Sequence, residues 1–203
     1  VIEDEAIWKL AEHTWRIETQ AVAQLGRCIE REALVRCVQV IAECRGRVVT
    51  SGCGTSAAAA KKIAHSLCCV ERPAFFVSPS DAVHGGLGAV QPSDVAVLLS
   101  KGGGTAELLS LLPALKTKKV FIIGVTENPR SPLAKASNLL LRVKVQREAD
   151  DFNMLATASS MAVAAVFDAV CVALMRYTGY TREQFAVIHP GGAVGERLLG
   201  EKS

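Results

Sequence analysis

Apolar residues change their rhythm near residue 46. Before it they recur at helical spacing: Ile7, Leu10, Ala11, Trp15, Ile17, Val22, Leu25 and Ile29 fall near one stripe, with no proline between them. Residues 5–44 therefore read as helical, with a second helix over 32–44 that ends at Gly46. Beyond that point, short runs rich in Val, Ile, Leu and Phe predict strands at 47–51, 74–78, 94–99, 119–125 and 139–145. Between and after them, helical patterns cover 56–69, 105–116, 131–136 and 155–178. Strands and helices in strict alternation predict an α/β fold, a three-layer sandwich with a five-stranded parallel sheet between helices. Pro73, Pro92, Pro113, Pro129 and Pro132 fall in or near the joints. The expected organisation is an N-terminal helical segment, 1–46, joined to a ligand-binding unit, 47–203, in one compact domain.

Composition sharpens this picture. Half of the 203 residues are apolar but only 5% are aromatic. The core must be built from Ala, Val, Leu and Ile, which suits a parallel sheet covered on both faces. The helices at 5–44 and 155–178 offer more apolar surface than one small sheet can cover, so a homo-oligomer, dimer or tetramer, is expected. A net charge of +3 without any run of Lys or Arg argues against a nucleic-acid partner. Seven cysteines, an odd number at no metal spacing and with no framework, suggest reduced thiols in the cytoplasm. Glu3, Asp4 and Glu5 leave the first residues without the basic and apolar regions of a secretory leader. The apolar stretch 155–175 is Ala-rich and interrupted by Asp168, which favours a core helix over a membrane span.

Two strands run directly into glycine- and hydroxyl-rich turns that open helices. One turn is Gly52-Cys53-Gly54-Thr55-Ser56; the other is Ser100-Lys101-Gly102-Gly103-Gly104-Thr105. Each gathers backbone N–H groups, a helix start and hydroxyls in one place, a combination that holds phosphate or another small anion. The first turn also fits a loose dinucleotide pattern, G-x-G-x-x-A, or a mere tight joint. A dinucleotide site wants an acid at the end of the next strand, and that strand ends in Ser78-Pro79-Ser80. One phosphorylated ligand held between two strand ends is the favoured reading.

Four further residues have the setting of reactive groups. Glu107 lies in the first turn of the helix after the second loop, where a carboxylate suits either the helix dipole or a bound ligand. His84, before Gly85-Gly86, and His189, before Pro190-Gly191-Gly192, sit in irregular segments where core histidines are rare. Glu148 follows the fifth strand, on the edge where both turns lie. Asp150 and Asp151 accompany it, but without His or Cys at ligand spacing, so no metal is expected. His13 and His65 lie within helices and read as structural.

These stretches resemble the sugar isomerase (SIS) family, over about residues 20–199. The shared segments are Gly52-Cys53-Gly54-Thr55-Ser56, Phe75-Phe76-Val77, His84-Gly85-Gly86-Leu87-Gly88, Ser100 to Glu107, Val143-Lys144-Val145 with Glu148-Ala149, and His189-Pro190-Gly191-Gly192-Ala193-Val194-Gly195. The likeness is greatest to the arabinose-5-phosphate isomerase branch, without that branch's usual pair of CBS modules. It implies a flavodoxin-like sheet, N-terminal helices that aid oligomerisation, Ser100 and Thr105 on phosphate, and a first turn that closes over the sugar. It also implies that Glu107, Glu148, His84 and His189 line the reacting end, with His189 reaching a neighbouring subunit's site. The chain departs from the branch at Thr55, where Lys is usual, and at Gly86, where an acid is usual. Ser100-Lys101-Gly102-Gly103 stands where Ser-Asn-Ser-Gly is usual, so one hydroxyl is missing and Lys101 supplies a compensating charge.

The expected activity is aldose–ketose isomerisation of a small sugar phosphate through an enediol(ate), with Glu148 as base, His189 as proton shuttle, and no metal or redox cofactor. The competing expectation is a non-catalytic sugar-phosphate sensor.

Overall fold

A computed structural model describes residues 2–191 and Gly195. Three helices come first: α1 (Asp4–Ala23), α2 (Leu25–Cys28) and α3 (Arg31–Ala42). The expected long helix is thus broken, between Gln24 and Leu25 and again at Ile29–Glu30, where the backbone turns extended. The alternating part follows as β1 (Val48–Gly52), α4 (Thr55–Cys68), β2 (Ala74–Phe76), α5 (Pro79–Ala82), a 3-10 turn (Gly86–Ala89), β3 (Val95–Leu99), α6 (Ala106–Leu109), α7 (Leu112–Thr117), β4 (Phe121–Thr126), α8 (Pro132–Ala136), β5 (Leu139–Arg142), α9 (Ala158–Tyr177) and α10 (Arg182–Ile188).

All five strands are parallel, in the order β2-β1-β3-β4-β5. The sheet grows one way from β1 to β2 and the other way from β1 to β3. A crevice must open where the direction changes, at the C-terminal ends of β1 and β3, and ligands of such sheets bind there. The register Val48↔Val95 through Gly52↔Leu99 ends both strands at the same level. The two hydroxyl-rich turns therefore leave the sheet side by side.

Side chains alternate along each strand and so build two cores. Val95, Val97 and Leu99 of β3 face one side, with Ile123 and Val125 of β4, and are covered by α3, α4 and α9. Ala96, Leu98 and Ile122 face the other, against Leu108, Leu111, Leu112 and Leu115. α9 buries Ala162, Val166, Phe167, Val170 and Leu174 against α1, α3 and α4. It is long and apolar enough to cross a membrane, but its buried face is that of a core helix. α3 contributes Cys37, Val38 and Ile41 to the same core, so the N-terminal segment is part of the fold.

Three further expectations needed adjusting. The helix at 105–116 is two helices, because Pro113 has no N–H to continue the first and instead sits in the opening turn of α7. β5 ends at Arg142; Val143 and Val145 are buried beyond the ladder. α5, the 3-10 turn and α10 were not anticipated as elements. All seven cysteines are unpaired.

Candidate functional site

The first turn is built by glycine. Gly52 ends β1 where a Cβ would meet the Ser56 backbone at 3.0 Å and the Leu99 carbonyl oxygen at 3.1 Å. Its missing side chain lets α4 start close against β3. Gly54 has φ 54° and turns the chain into α4, a conformation that glycine alone adopts without strain. Thr55 and Ser56 follow, with N–H groups at the unsatisfied start of a fourteen-residue helix. Two other hydroxyls of this stretch have structural duties: Thr50 donates to the Ala60 carbonyl at 2.8 Å and Ser51 to the Val77 carbonyl at 2.8 Å.

The second turn is pinned from beneath by the loop after β4. The Lys101 carbonyl accepts from Thr126 Oγ1 at 2.7 Å and from Glu127 N at 3.0 Å, and the Gly103 carbonyl accepts from Leu133 N at 3.1 Å. Gly103 has φ 71°, and a Cβ there would sit 2.1 Å from Ser131 Oγ. Within the turn, Ser100 Oγ and Thr105 Oγ1 share a hydrogen bond of 2.8 Å, and Gly103 N donates to Ser100 Oγ at 3.0 Å. Gly102 and Gly104 face open space.

Between the turns lies a small cleft, open to solvent on one side. Thr55, Ser56, Ser100 and Lys101 line it, joined by Thr126, Ser159 and Ser160.

Glu148 lies behind Lys101, fully buried. Its Oε1 accepts from Lys101 Nζ at 2.5 Å. Its Oε2 accepts from Thr157 N at 3.0 Å, Thr157 Oγ1 at 3.3 Å and Ser159 N at 3.1 Å, so it caps α9. Its own N–H donates to Asn153 Oδ1 at 2.6 Å, and Asn153 holds a left-handed backbone, φ 57°. Burial favours the protonated acid, yet the Lys101 ammonium and the donors at Ser159 and Thr157 outweigh it and bring Glu148 from 4.5 down to about 2. With both oxygens engaged, Glu148 is an ionised, fully partnered carboxylate.

Glu107 opens α6 as expected and is exposed. It stands near the first turn: burial, and next the Glu107 charge, raise the Cys53 thiol above its ordinary 9.0. Cys53 is thus a poor nucleophile. His84 is exposed just beyond α5, which packs on α6, the helix that carries Glu107; neither side chain lines the cleft.

His189 is placed elsewhere. Thr181 and Gln184 form a capping box that starts α10. Gln184 Nε2 donates to Glu71 Oε2 at 3.1 Å, and the Tyr180 hydroxyl donates to the Cys69 carbonyl at 3.3 Å. Those anchors sit past the far end of α4, about 20 Å along that helix from the first turn. The His189 ring stacks on Phe185 at 4.0 Å and lies 3.0 Å from the Phe185 carbonyl. Within one chain His189 does not meet the other candidates. Gly192, Ala193 and Val194 of its motif lie outside the described residues.

Thr126, Thr157, Ser159 and Ser160 were not anticipated. Thr157-Ala158-Ser159-Ser160 before an apolar run is a helix-start signature, and it was the available signal. Among the described residues no three His, Cys, Asp or Glu side chains are grouped to hold a metal. Gly86, where the resemblance leads one to expect an acid, is sterically closed: a Cβ would meet the Asp81 carbonyl oxygen at 2.9 Å.

This arrangement defines an α/β protein with two anion-receptive turns side by side at the switch point of its sheet. The chain belongs to the SIS domain family, whose model matches residues 41–183. It is 41% identical over 189 residues to arabinose 5-phosphate isomerase KdsD of Pseudomonas aeruginosa, covering 93% of this chain and 58% of that protein. The chain thus spans little more than half the length of the curated relatives it matches. A putative sugar-phosphate isomerase from Listeria monocytogenes superimposes with a TM-score of 0.93 at 55% identity, covering 94% of this chain and all of that one. An Escherichia coli CFT073 protein in complex with arabinose 5-phosphate superimposes with a TM-score of 0.88 at 34% identity, over 93% of this chain and all of its own.

Proposed function

We propose that this chain is an aldose–ketose isomerase of a small sugar phosphate. The observation that carries the reading is the pairing of two anion-receptive turns at one switch point, opening on a single cleft. Relatives named arabinose 5-phosphate isomerase, and a similar structure holding arabinose 5-phosphate, support it. Ser100, Thr105, Lys101 and the Gly102–Gly103 backbone hold the phosphate, and Gly52, Gly54, Thr55 and Ser56 close over the sugar. With the phosphate fixed, the reading places the carbons next to the carbonyl toward α5 and α6, where His84 and Glu107 are carried. A base takes the proton from the hydroxyl-bearing carbon of the aldose, leaving an enediolate, and the proton is returned to the neighbouring carbon. A second group moves the proton between the two oxygens. Glu107, exposed and free of the ion pair that holds Glu148, is the better candidate for the base in the free protein. Glu148 positions Lys101 and α9.

His189 enters this scheme as the proton shuttle of a neighbouring subunit. Self-association as dimer or tetramer is supported by apolar surface near the N-terminus: Trp8 and Trp15 are half-exposed on α1, and Leu34, Val35, Val38 and Tyr177 line an open groove between α3 and α9. Segment 1–46 then serves oligomerisation as well as the core. Seven free thiols suit a reducing, cytoplasmic setting.

The second reading, a non-catalytic sensor, draws on Glu148, whose two oxygens are both engaged. Incubation with pentose and hexose phosphates in deuterated water separates the two. An isomerase exchanges deuterium into the carbon beside the carbonyl; a ligand that shifts the melting temperature without any exchange refutes the enzyme and supports the sensor.

A further inference from the structure

Lys101 is the charged residue among those that line the cleft, and its backbone and side chain are held in different ways. The backbone is fixed by Thr126 and Glu127 through the Lys101 carbonyl. The side chain is 39% exposed and ends on a carboxylate that is 0% exposed. Glu148 does not depend on Lys101 alone, since its other oxygen accepts from Thr157 and Ser159 at the start of α9. The ammonium can therefore leave Oε1 while the carboxylate keeps three donors. Across the same turn, Ser100 Oγ and Thr105 Oγ1 share one hydrogen bond, which uses one of their two hydroxyl protons. The Lys101 ammonium gives one of its three N–H groups to Glu148.

We propose that Lys101 is a shared counter-ion, neutralising Glu148 in the free protein and recognising the phosphate of the ligand, so that carboxylate and phosphate compete for one ammonium. The inference rests on the phosphate reading of the second turn and deepens it. An ammonium is a compact charge on a flexible stem with three donors, and it can be redirected without moving the backbone. Two anions that draw on one ammonium compete for it, so Glu148 lowers the affinity for phosphate. This opposition selects for a doubly charged phosphate over a carboxylate or a neutral sugar, because only the stronger anion draws Lys101 away. Lys101 is thus a specificity-determining residue, and Glu148 sets the threshold.

The test is a double-mutant cycle read by calorimetric titration of inorganic phosphate into the full chain at neutral pH and low salt. Lys101→Met should weaken phosphate roughly tenfold or more, since a charge-assisted hydrogen bond is lost. Glu148→Gln should tighten phosphate several-fold, because the ammonium is released. In the Lys101→Met background the Glu148→Gln change should have no effect. Tightening that persists without Lys101 would be plain field relief and would overturn the proposal. So would wild-type phosphate affinity in Lys101→Met, or no tightening in Glu148→Gln. Should Glu148→Gln fail to fold by circular dichroism, Lys101→Arg decides: it should recover affinity lost in Lys101→Met, and failure to do so refutes the shared charge. Loss of phosphate in Ser100→Ala with no effect at Lys101 would leave the phosphate site standing and sink this inference. An intact cycle without deuterium exchange would sustain it while the isomerase reading falls.

Discussion

Replacing Glu148 with Gln should show its worth as a pH-dependent difference in stability. The carboxylate is fully buried and lies at about 2 in the folded protein against 4.5 ordinarily, held down by Lys101 and the donors of Ser159 and Thr157. A depression of that size corresponds to about 3 kcal/mol of folding free energy at neutral pH. The sign follows from the direction. A lowered folded-state value gives stability that is present above pH 4.5 and lost as the pH falls toward 2. Glu148→Gln keeps the shape and one acceptor but no charge. It should therefore melt roughly 6–12 °C below the wild type at pH 7, the span that about 3 kcal/mol covers in a chain of this size. By about pH 3 the gap should shrink to about half or less, because the unfolded wild type binds a proton at Glu148 there while the folded carboxylate is still ionised, and the variant binds none in either state. Parallel melts across that range measure both, and other acids cancel in the comparison. A constant gap throughout would refute the ion pair and cap as the source of the stability.

Four other outcomes follow from the turns and the tail. Ser100→Ala combined with Thr105→Ala should weaken sugar-phosphate binding by roughly ten- to a thousandfold in calorimetry, while the melting temperature stays close to wild type. Gly103→Ala should cost several kcal/mol, visible in urea unfolding, because φ 71° and a 2.1 Å approach to Ser131 Oγ leave no room for a methyl group. Gly102→Ser, facing open space, should be neutral in the same assay and should tighten phosphate by its added hydroxyl. Finally, mixing inactive His189→Ala and Ser100→Ala proteins should restore part of the turnover if the histidine serves a neighbouring subunit's cleft; no recovery on subunit exchange would remove His189 from the shuttle.

Much of the sheet could be read from the chain because buried parallel strands are short, continuous apolar runs. Val48 to Gly52 and Val95 to Leu99 fall within a residue or two of their expected bounds. The two glycine turns were equally plain, since their residues have few other uses. What escaped were features fixed by partners distant in sequence. The exception is 105–116, where Pro113 itself marks a restarted helix; the burial of Val143 and Val145 resembles strand pairing. At the site, Glu148 was found by its place after the fifth strand. Its partners were not, because they are Lys101, 47 residues earlier, and the start of α9, nine and eleven residues later. His189 was read as part of the reacting end through resemblance. The chain's own contacts anchor its helix by Glu71 and Cys69 instead.

The glycines around the cleft also bear on how such a scaffold acquires a new ligand. Position 102 opens on empty space, and Thr55 is exposed at the start of α4, so each can accept a different side chain in a single step. Position 86 cannot, because any Cβ would press on the carbonyl of Asp81 and force the loop after β2 to be rebuilt. Routes between ligands are therefore unequal in this chain: changes at the phosphate end are single substitutions, while changes beside His84 must wait for a rearranged backbone.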